Sequence, residues 1–148
     1  MSDFTAIAAA LAARYAPGAL TAPTGYDTIR LSTYTPAEAM LPLPCVLVFA
    51  PESGEFATGN GTRTGTHDWV VRFYYDQAGD LARQAAALLA WAPVLFDQLR
   101  AAVTLSGTAI SARLASYRIG YMQYAGDDYA GIEMRVRVQT SEAWAATA

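Results

Sequence analysis

The spacing of apolar and polar residues divides the chain into helical and strand segments. A spacing of three and four residues, typical of amphipathic helices, covers 4–15 after Asp3 and 81–103 after Asp80. Both aspartates are suited to accept hydrogen bonds at a helix N-terminus. Pro93 interrupts the second segment, and proline is tolerated in the first turn of a helix but not in its interior. The pattern therefore predicts one short N-terminal helix and, later, a pair of helices.

Strand segments are marked by an alternation of apolar and polar positions. One run, Cys45–Phe49, is apolar throughout and flanked by prolines, which predicts a strand buried on both faces. The segment 125–131 is rich in glycine and aspartate and predicts a turn. The alternating segments predict further strands at 28–34, 67–75, 109–114, 116–124 and 132–139.

The order of these elements predicts the fold class. Strands follow the first helix, the helix pair comes next and more strands close the chain, so this is not the regular alternation of a doubly wound parallel sheet. We expect an α+β fold with a single antiparallel or mixed β-sheet and helices packed on one face. The 148 residues fit one domain. Residues 141–148 are expected to form a tail, either frayed or docked on a partner, because Trp144 needs a surface to bury against.

A glycine-rich stretch follows the buried strand. Residues 54–66 contain four glycines, which predicts a flexible arm or loop, either a long loop or a mobile β-arm. Gly54 and Gly59 have the spacing of a phosphate-binding loop, but Asn60 stands where that motif requires lysine. The stretch also leads into a strand, so no helix N-terminus is available to hold anions. A flexible arm is the favoured interpretation.

Composition limits the classes of function. The chain is 53% hydrophobic and carries a net charge of −3, and all ten of its basic residues are arginine. These arginines are scattered along the sequence, whereas nucleic-acid-binding proteins usually concentrate basic residues in a stripe. Tight binding of DNA or RNA is therefore disfavoured. No apolar run approaches the roughly 18 residues that a membrane-spanning helix needs.

Cysteine content and the N-terminal sequence bear on the compartment. Cys45 is the only cysteine, so an internal disulfide is excluded. No basic residue precedes the first apolar stretch, so the N-terminal sequence does not resemble a secretory signal. We therefore expect synthesis in the cytoplasm.

Candidate catalytic residues are few. His67 is the single histidine, and its neighbour Asp68 faces the other side of a strand, so the two cannot form an orienting pair. We expect His67 at the surface near a strand end, and Cys45 to be buried and structural. Asp127 and Asp128 are expected to be turn formers, with a weak ion site as the alternative. The sequence thus predicts a protein that is not an enzyme and has no cofactor and no metal site.

Several segments together resemble a known family. They are the short N-terminal helix, the Pro-Cys-Val-Leu-Val-Phe strand with its long loop, the His-Asp-Trp-Val-Val-Arg-Phe-Tyr-Tyr strand, the helix pair, the Tyr-Arg-Ile-Gly segment and the closing Tyr-Ala-Gly-Asp-Asp-Tyr-Ala-Gly-Ile-Glu-Met-Arg-Val-Arg-Val. In this order they look like the tail terminator proteins of tailed bacteriophages and the related head–tail joining proteins. The resemblance covers roughly residues 3–140 and rests on hydrophobic patterns rather than an invariant signature.

The resemblance implies a structural part of the virion. Proteins of this family form a ring, typically a hexamer, on the head-proximal end of the tail tube, where they stop tube growth and present a surface to the head connector. DNA passes through the ring without specific binding, which suits a mildly acidic chain. The implied partners are further copies of the chain, the tail tube protein and the head–tail connector protein, with no membrane. The implied location is the tail or neck of the virion, after synthesis in the host cytoplasm.

A closed ring of this kind is a heterologous assembly, so each subunit needs two different patches. Tyrosine and arginine are favoured in such interfaces. The polar side of the last predicted strand is either a solvated face or part of an intersubunit charge pair. The candidate residues for an oligomer interface or for the lining of the lumen are Glu55, Phe56, Asn60, Arg63, Glu133, Arg135, Arg137 and Trp144.

Other classes of protein stay open from the residues alone. A different head–tail connector component, such as a stopper or adaptor, would share the pattern. A small α+β enzyme or ligand-binding module would need a pocket with convergent polar groups. A protein-binding module such as an immunity protein would form a one-to-one complex rather than a ring.

Overall fold

The computed structural model of the chain describes residues 3–35, 42–59, 61–101, 104, 105, 107 and 109–143. Within them a short helix is followed by a group of strands, a long helix and two long strands. These elements are α1 (Phe4–Arg14), β1 (Leu31–Thr33), β2 (Cys45–Phe49), β3 (Gly54–Thr58), β4 (Thr62–Gln77), α2 (Leu81–Arg100), β5 (Ser111–Tyr124) and β6 (Asp127–Ala143).

The strands form one mixed sheet. Its order is β1-β2-β4-β6-β5, and β3 pairs with β4 outside this path. β1 and β2 pair in parallel, and the other described pairs are antiparallel. β4 is long enough to pair with β3 over 63–67 and then with β2 over 70–74. Both helices pack on the same face of the sheet, so the predicted α+β fold, with a mixed sheet and helices on one face, is confirmed.

Both predicted helix caps are confirmed. The Asp3 carboxylate accepts the backbone N–H of Ala6 at 2.9 Å, and the Asp80 carboxylate accepts that of Arg83 at 3.4 Å. Each bond satisfies one of the N–H groups that the first turn of a helix leaves without an internal partner.

The predicted break at Pro93 is wrong. α2 runs from Leu81 to Arg100 with Pro93 inside it. A proline leaves the carbonyl four residues earlier without its helical partner, and here that carbonyl belongs to Leu89. Leu89 and Pro93 both lie on the exposed side of the helix, so water can satisfy this carbonyl. Trp91 and Leu95 on the other side are fully buried, and their packing stabilises the helix across the proline.

The main core lies between the helices and the face of the sheet beneath them, which we call the covered face. Every second residue of the central strands points into it, and most of these residues are apolar. These buried residues are Val46 and Val48 of β2, Trp69, Val71 and Phe73 of β4, and Ala130, Ile132, Met134, Val136 and Val138 of β6.

Hydrogen bonds join the two helices above this core. The Tyr15 hydroxyl, just after α1, donates to the Leu95 carbonyl at 3.0 Å. The Gln98 amide donates to the Arg14 carbonyl at 2.6 Å, and the Arg14 guanidinium donates to the Gln98 carbonyl at 2.8 Å. The helices therefore form one layer with a fixed relation to the sheet.

Neither of the two helices covers the other face of the sheet, which we call the open face. Towards the turn between β5 and β6 it carries a second, smaller cluster of buried residues: Cys45, Leu47, Tyr74, Met122 and Tyr129. β2 thus contributes to both clusters, so the prediction that it is buried on both faces is confirmed. Burial raises the pKa of the Cys45 thiol to about 12, so the predicted buried cysteine is protonated at neutral pH.

Two strands occupy most of the segment predicted as a flexible arm or loop: β3 covers Gly54–Thr58, and β4 begins at Thr62. β3 and the first part of β4 form an antiparallel hairpin, with Thr58 opposite Arg63 and Gly54 opposite His67. β6 pairs with the same part of β4 on its other side, so this arm is three strands wide at its base. Of the two predicted alternatives, the β-arm agrees with the pairing and the long loop is wrong.

Three other strand predictions are corrected. The strand predicted at 28–34 is reduced to the three residues of β1. The strands predicted at 109–114 and 116–124 are one strand, β5, with an irregularity between Leu114 and Ser116. The single extra residue of this bulge explains why the alternation changes phase there.

The last strand is longer at both ends than the pattern predicts. The turn predicted at 125–131 is confined to Ala125 and Gly126, whose φ values of 52° and 86° suit a two-residue hairpin turn. β6 continues to Ala143, which lies opposite Thr62. Residues 141–143 are therefore part of the sheet rather than a frayed tail, and Trp144 lies outside the described residues.

Candidate functional site

The charged half of the open face gathers five of the ten arginines in the chain. Alternation along β6 places Arg135 and Arg137 there, and the strand register adds Arg72 from β4. Arg113 and Arg118 from β5 lie opposite Arg137 and Glu133 and so share the same face. These five residues, which we call the arginine face, come from three adjacent strands.

Glu133 is the acidic centre of this face. It is only 8% exposed and accepts a hydrogen bond from the Arg72 guanidinium at 2.9 Å, with the Arg118 guanidinium 3.8 Å away. Burial disfavours the charged form of Arg72, but hydrogen bonds and charge from Tyr74 and Glu133 outweigh it and raise the pKa of this guanidinium. Arg72 also lies over the Phe49 ring, 5.2 Å from its centroid. The group is thus an internal ion cluster of one subunit.

A second ion pair lies closer to the arm. The Arg137 guanidinium donates to the Asp68 carboxylate at 3.1 Å, and both side chains are about two-fifths exposed. Water and salt therefore weaken this pair more than the one at Glu133. Glu55 of β3 lies opposite Thr66 and borders the same shallow groove as Asp68 and Arg137.

The arginine face keeps a surplus of positive charge. Its five arginines meet two carboxylates, Asp68 and Glu133, which leaves three positive charges on a chain whose net charge is −3. Arg113 and Arg135 are exposed and have no acidic partner among the described residues. Arg113 and Arg137 also border an open groove of about 710 Å³ at the β5 edge.

Negative charge collects at the opposite end of the long strands. Asp127 and Asp128 begin β6, and the backbone carbonyl of Asp128 accepts the N–H of Ala78 at 2.9 Å, next to Asp76 and Asp80. All four carboxylates are exposed. We call these four aspartates the acidic end; Arg83 is the one basic residue in the same stretch of α2. No cluster of three or more metal-ligating side chains occurs in the part of the chain that the structure describes.

His67 is buried, so the prediction of a surface histidine is wrong. It is 3% exposed and lies between the rings of Phe4 and Phe56, with centroids 4.8 and 5.2 Å away. Desolvation lowers the pKa of His67, and the weaker effect of Asp68 raises it, so the imidazole is neutral at pH 7. The histidine therefore ties the start of α1 to the base of the arm.

The packing of the His67 ring explains why two positions of the arm are glycine. A Cβ at Gly65 would lie 2.6 Å from His67 Nε2 and 2.9 Å from the Thr140 hydroxyl, and one at Gly54 would overlap the other imidazole nitrogen. Only glycine fits beside the ring at these two positions. Gly54 begins β3, so the phosphate-loop spacing in the sequence belongs to a strand that packs against a histidine.

The predicted interface residues fall into three groups. In the arm, Phe56 is 53% exposed and lies 4.4 Å beneath the Arg63 guanidinium, with Glu55 exposed beside it. On the arginine face, Glu133 and Arg137 have partners within the subunit, whereas Arg135 is exposed. Asn60 and Trp144 lie outside the described residues.

An apolar strip lies where α2 meets the edge strand β5. Leu89 is 67% exposed and Tyr117 58%, and Tyr121 is exposed nearby. The Phe96 and Tyr117 rings contact each other at 4.8 Å. Between helix and strand is a groove of about 240 Å³, lined mainly by apolar groups. Exposed tyrosine and leucine side by side are typical of protein interfaces.

No protein-family model matches the chain, and no curated protein matches it. Among the described helices, none combines the length and the apolar character that crossing a membrane requires.

The arginine face was missed because its members are far apart in the sequence. Alternation on β6 identified Arg135 and Arg137 as neighbours on one side of a strand. Adding Arg72, Arg113 and Arg118 requires the pairing register of three strands, which only the fold supplies. Half of the arginines, which are scattered along the sequence, therefore lie together on one face of the folded sheet.

Proposed function

We propose that the protein is a structural subunit of a tailed-phage neck, a tail terminator that forms a ring on the tail tube and joins it to the head connector. The observation that supports this best is the open face of the sheet, which presents exposed arginines on a rigid support, together with the exposed tyrosines of the apolar strip beside β5. The resemblance in the order of sequence segments gives the proposal its specific form. In this role the chain acts by surface complementarity rather than by bond-making chemistry.

The shape of the subunit suits a ring. The sheet and its layer of helices form a rigid body, because the covered face is sealed by a continuous apolar core. The free edge of β5, with the apolar strip beside it, and the exposed β3 are different surfaces on different sides of this body. Different surfaces are what a heterologous, closing assembly requires. The arm extends beyond β2 and is long enough to contact a neighbour or the lumen.

The proposal is tested with the tail tube protein encoded by the same genome. Tubes are assembled with and without the chain and imaged by electron microscopy. We expect a ring of density at one end of each tube and tubes that stop growing when the chain is added. Tubes that grow unchanged, with the chain in the supernatant, would contradict the proposal. Binding to filled heads but not to tubes would instead indicate a stopper or adaptor of the same neck.

A further inference from the structure

We propose that the arginine face of one copy binds the acidic end of a second copy, in a head-to-tail contact that repeats around the ring. This inference deepens the proposed function, and it rests on that function only for the closure of the ring. The pairwise contact itself can be measured on the isolated chain.

Charge is separated within one subunit. Arg72 and Arg118 lie nearer to the acidic end, but both are already paired with Glu133. Asp127 and Arg135 are eight positions apart on β6, which at about 3.3 Å per residue is about 26 Å. The acidic end and the exposed arginines of the face are therefore too far apart to neutralise each other within the chain, since this distance is several Debye lengths in physiological salt. A second copy brings them together when it is displaced along the direction of the strands.

The arginine face is incompletely paired within one subunit. Arg113 and Arg135 are exposed and meet no carboxylate among the described residues. Guanidinium groups bind carboxylates through two parallel hydrogen bonds, and their weak hydration makes them suited to interfaces. The acidic end supplies exposed aspartates on a hairpin turn and at a helix cap. A projecting turn of this kind can lie in the open groove beside Arg113.

Net charge favours a specific orientation. The chain has a net charge of −3, so two copies repel each other in most orientations. The orientation that brings the arginine face to the acidic end is attractive, and juxtaposed like charges disfavour orientations that bring acidic surfaces together. This contact joins two different patches, so it propagates in one direction and closes a ring if the rotation permits.

Nucleic acid is the other occupant that an arginine-rich face suggests. Against it, the surplus on this face is only three charges, because Asp68 and Glu133 neutralise part of it. A backbone contact strong enough to hold DNA involves about 6–10 phosphates in well-studied proteins. The second copy of the chain is therefore favoured, and DNA is an outcome of the test.

The test uses charge reversal in three variants of the full chain. The face variant carries Arg113→Glu and Arg135→Glu, the end variant Asp127→Arg and Asp128→Arg, and the swapped variant all four changes. Self-association is measured by sedimentation at low and at high salt. We expect each reversed variant to associate at least about tenfold more weakly than the native chain. The swapped variant, and an equal mixture of the two reversed variants, should regain association.

A charge-matched control separates the local contact from overall charge. Arg30→Glu with Ala9→Glu and Ala13→Glu changes the net charge by the same amount as the face variant, and all three residues are exposed and lie outside both the arginine face and the acidic end. This control should associate no more weakly than the native chain. All substituted side chains are exposed, so each variant should unfold at nearly the native temperature, which checks that loss of association is not loss of folding.

The other outcomes distinguish the proposed contact from binding of nucleic acid and from a failure of the proposed function. A native chain that stays monomeric even at low salt, or reversed variants that associate like the native chain, would overturn the contact. Binding of random-sequence duplex DNA that is lost in the face variant, without self-association, would assign the arginines to nucleic acid instead. Charge-dependent association in a chain that does not cap tubes would leave the contact standing and refute the proposed function. If every variant capped tubes equally well, the proposed function would stand and the contact would be refuted.

Discussion

The two faces of the sheet use the same strands in different ways. On the covered face, the residues of β2, β4 and β6 are apolar and buried beneath the helices. On the open face, the alternate residues change from a buried apolar cluster near the turn between β5 and β6 to the arginine face towards the arm. Because side chains alternate along a strand, a single register fixes both patterns.

The two faces therefore have different roles: the covered face stabilises the fold, and the open face is available to bind a partner. An apolar side chain on the covered face stabilises the fold through its transfer from water and its close packing. A charged side chain on the open face contributes little to stability when it is exposed, so its identity is free to serve a partner. Glu133 on the open face and His67 on the covered face are exceptions to this division of roles, because each has an ionisable side chain that is buried.

The largest effect is expected on the covered face. Trp91 is fully buried, with its ring 4.7 Å from that of Phe73. Trp91→Ala should lower the free energy of unfolding by about 3–5 kcal/mol, because it removes buried contacts and leaves a cavity. Leu89→Ala, on the exposed side of the same helix, is the control and should change it by less than about 0.5 kcal/mol. Urea denaturation measures both, and equal losses would contradict the orientation of α2.

The second-largest effect is expected at Glu133, a charged residue of the open face that does contribute to stability. Glu133→Gln removes the buried carboxylate that Arg72 and Arg118 share. Breaking a fully buried pair costs about 3–5 kcal/mol, but Arg72 is partly exposed, so we expect about 1–3 kcal/mol. Arg135→Gln on the same strand is the control, with a change of less than about 0.5 kcal/mol. If the two substitutions proved equally mild in urea denaturation, Glu133 would not be the centre of an ion cluster.

A smaller effect concerns the ionisable group of the covered face. The pKa of His67 is lowered in the folded state, so the unfolded chain binds more protons near and below its ordinary pKa of about 6.5. Stability from neutral His67 is thus fully present above that value and is lost as the pH falls, by at most about 1.4 kcal/mol per pH unit. Melting temperatures from pH 8 to 5 test this. His67→Gln should flatten the profile in that range, and an unchanged profile would assign the dependence to other groups.

The sequence predicts the covered face better than the open face. Apolar alternation at Trp69, Val71 and Phe73 identifies a buried side without knowledge of any partner strand. The N-caps at Asp3 and Asp80 are equally local, because a cap depends on one side chain and its own turn. The break at Pro93 failed because burial of Trp91 and Leu95, a tertiary effect, outweighs the local preference of proline.

The candidate site could be predicted only in part, for the same reason. Arg135 and Arg137 belong to one strand and were found, whereas Arg72 and Arg118 join them through pairings to Glu133 that no sequence spacing reveals. His67 was misplaced because its burial depends on Phe4 and Phe56, which lie 63 and 11 positions away. Long-range contacts therefore set what a charged or titratable residue does here.

The smallest effect is expected at the partly exposed ion pair between Asp68 and Arg137 on the open face. Asp68→Asn removes the half-exposed partner of Arg137 and should cost about 0.2–1 kcal/mol at low salt. The cost should vanish at high salt, where the pair is screened. Denaturation at pH 8, where His67 is neutral with or without Asp68, keeps the two effects apart. Leu88→Ala on the covered face is the control, because a loss of apolar packing should keep its full cost at high salt. A salt-independent loss for Asp68→Asn would mean that this pair, like Glu133, behaves as a buried interaction.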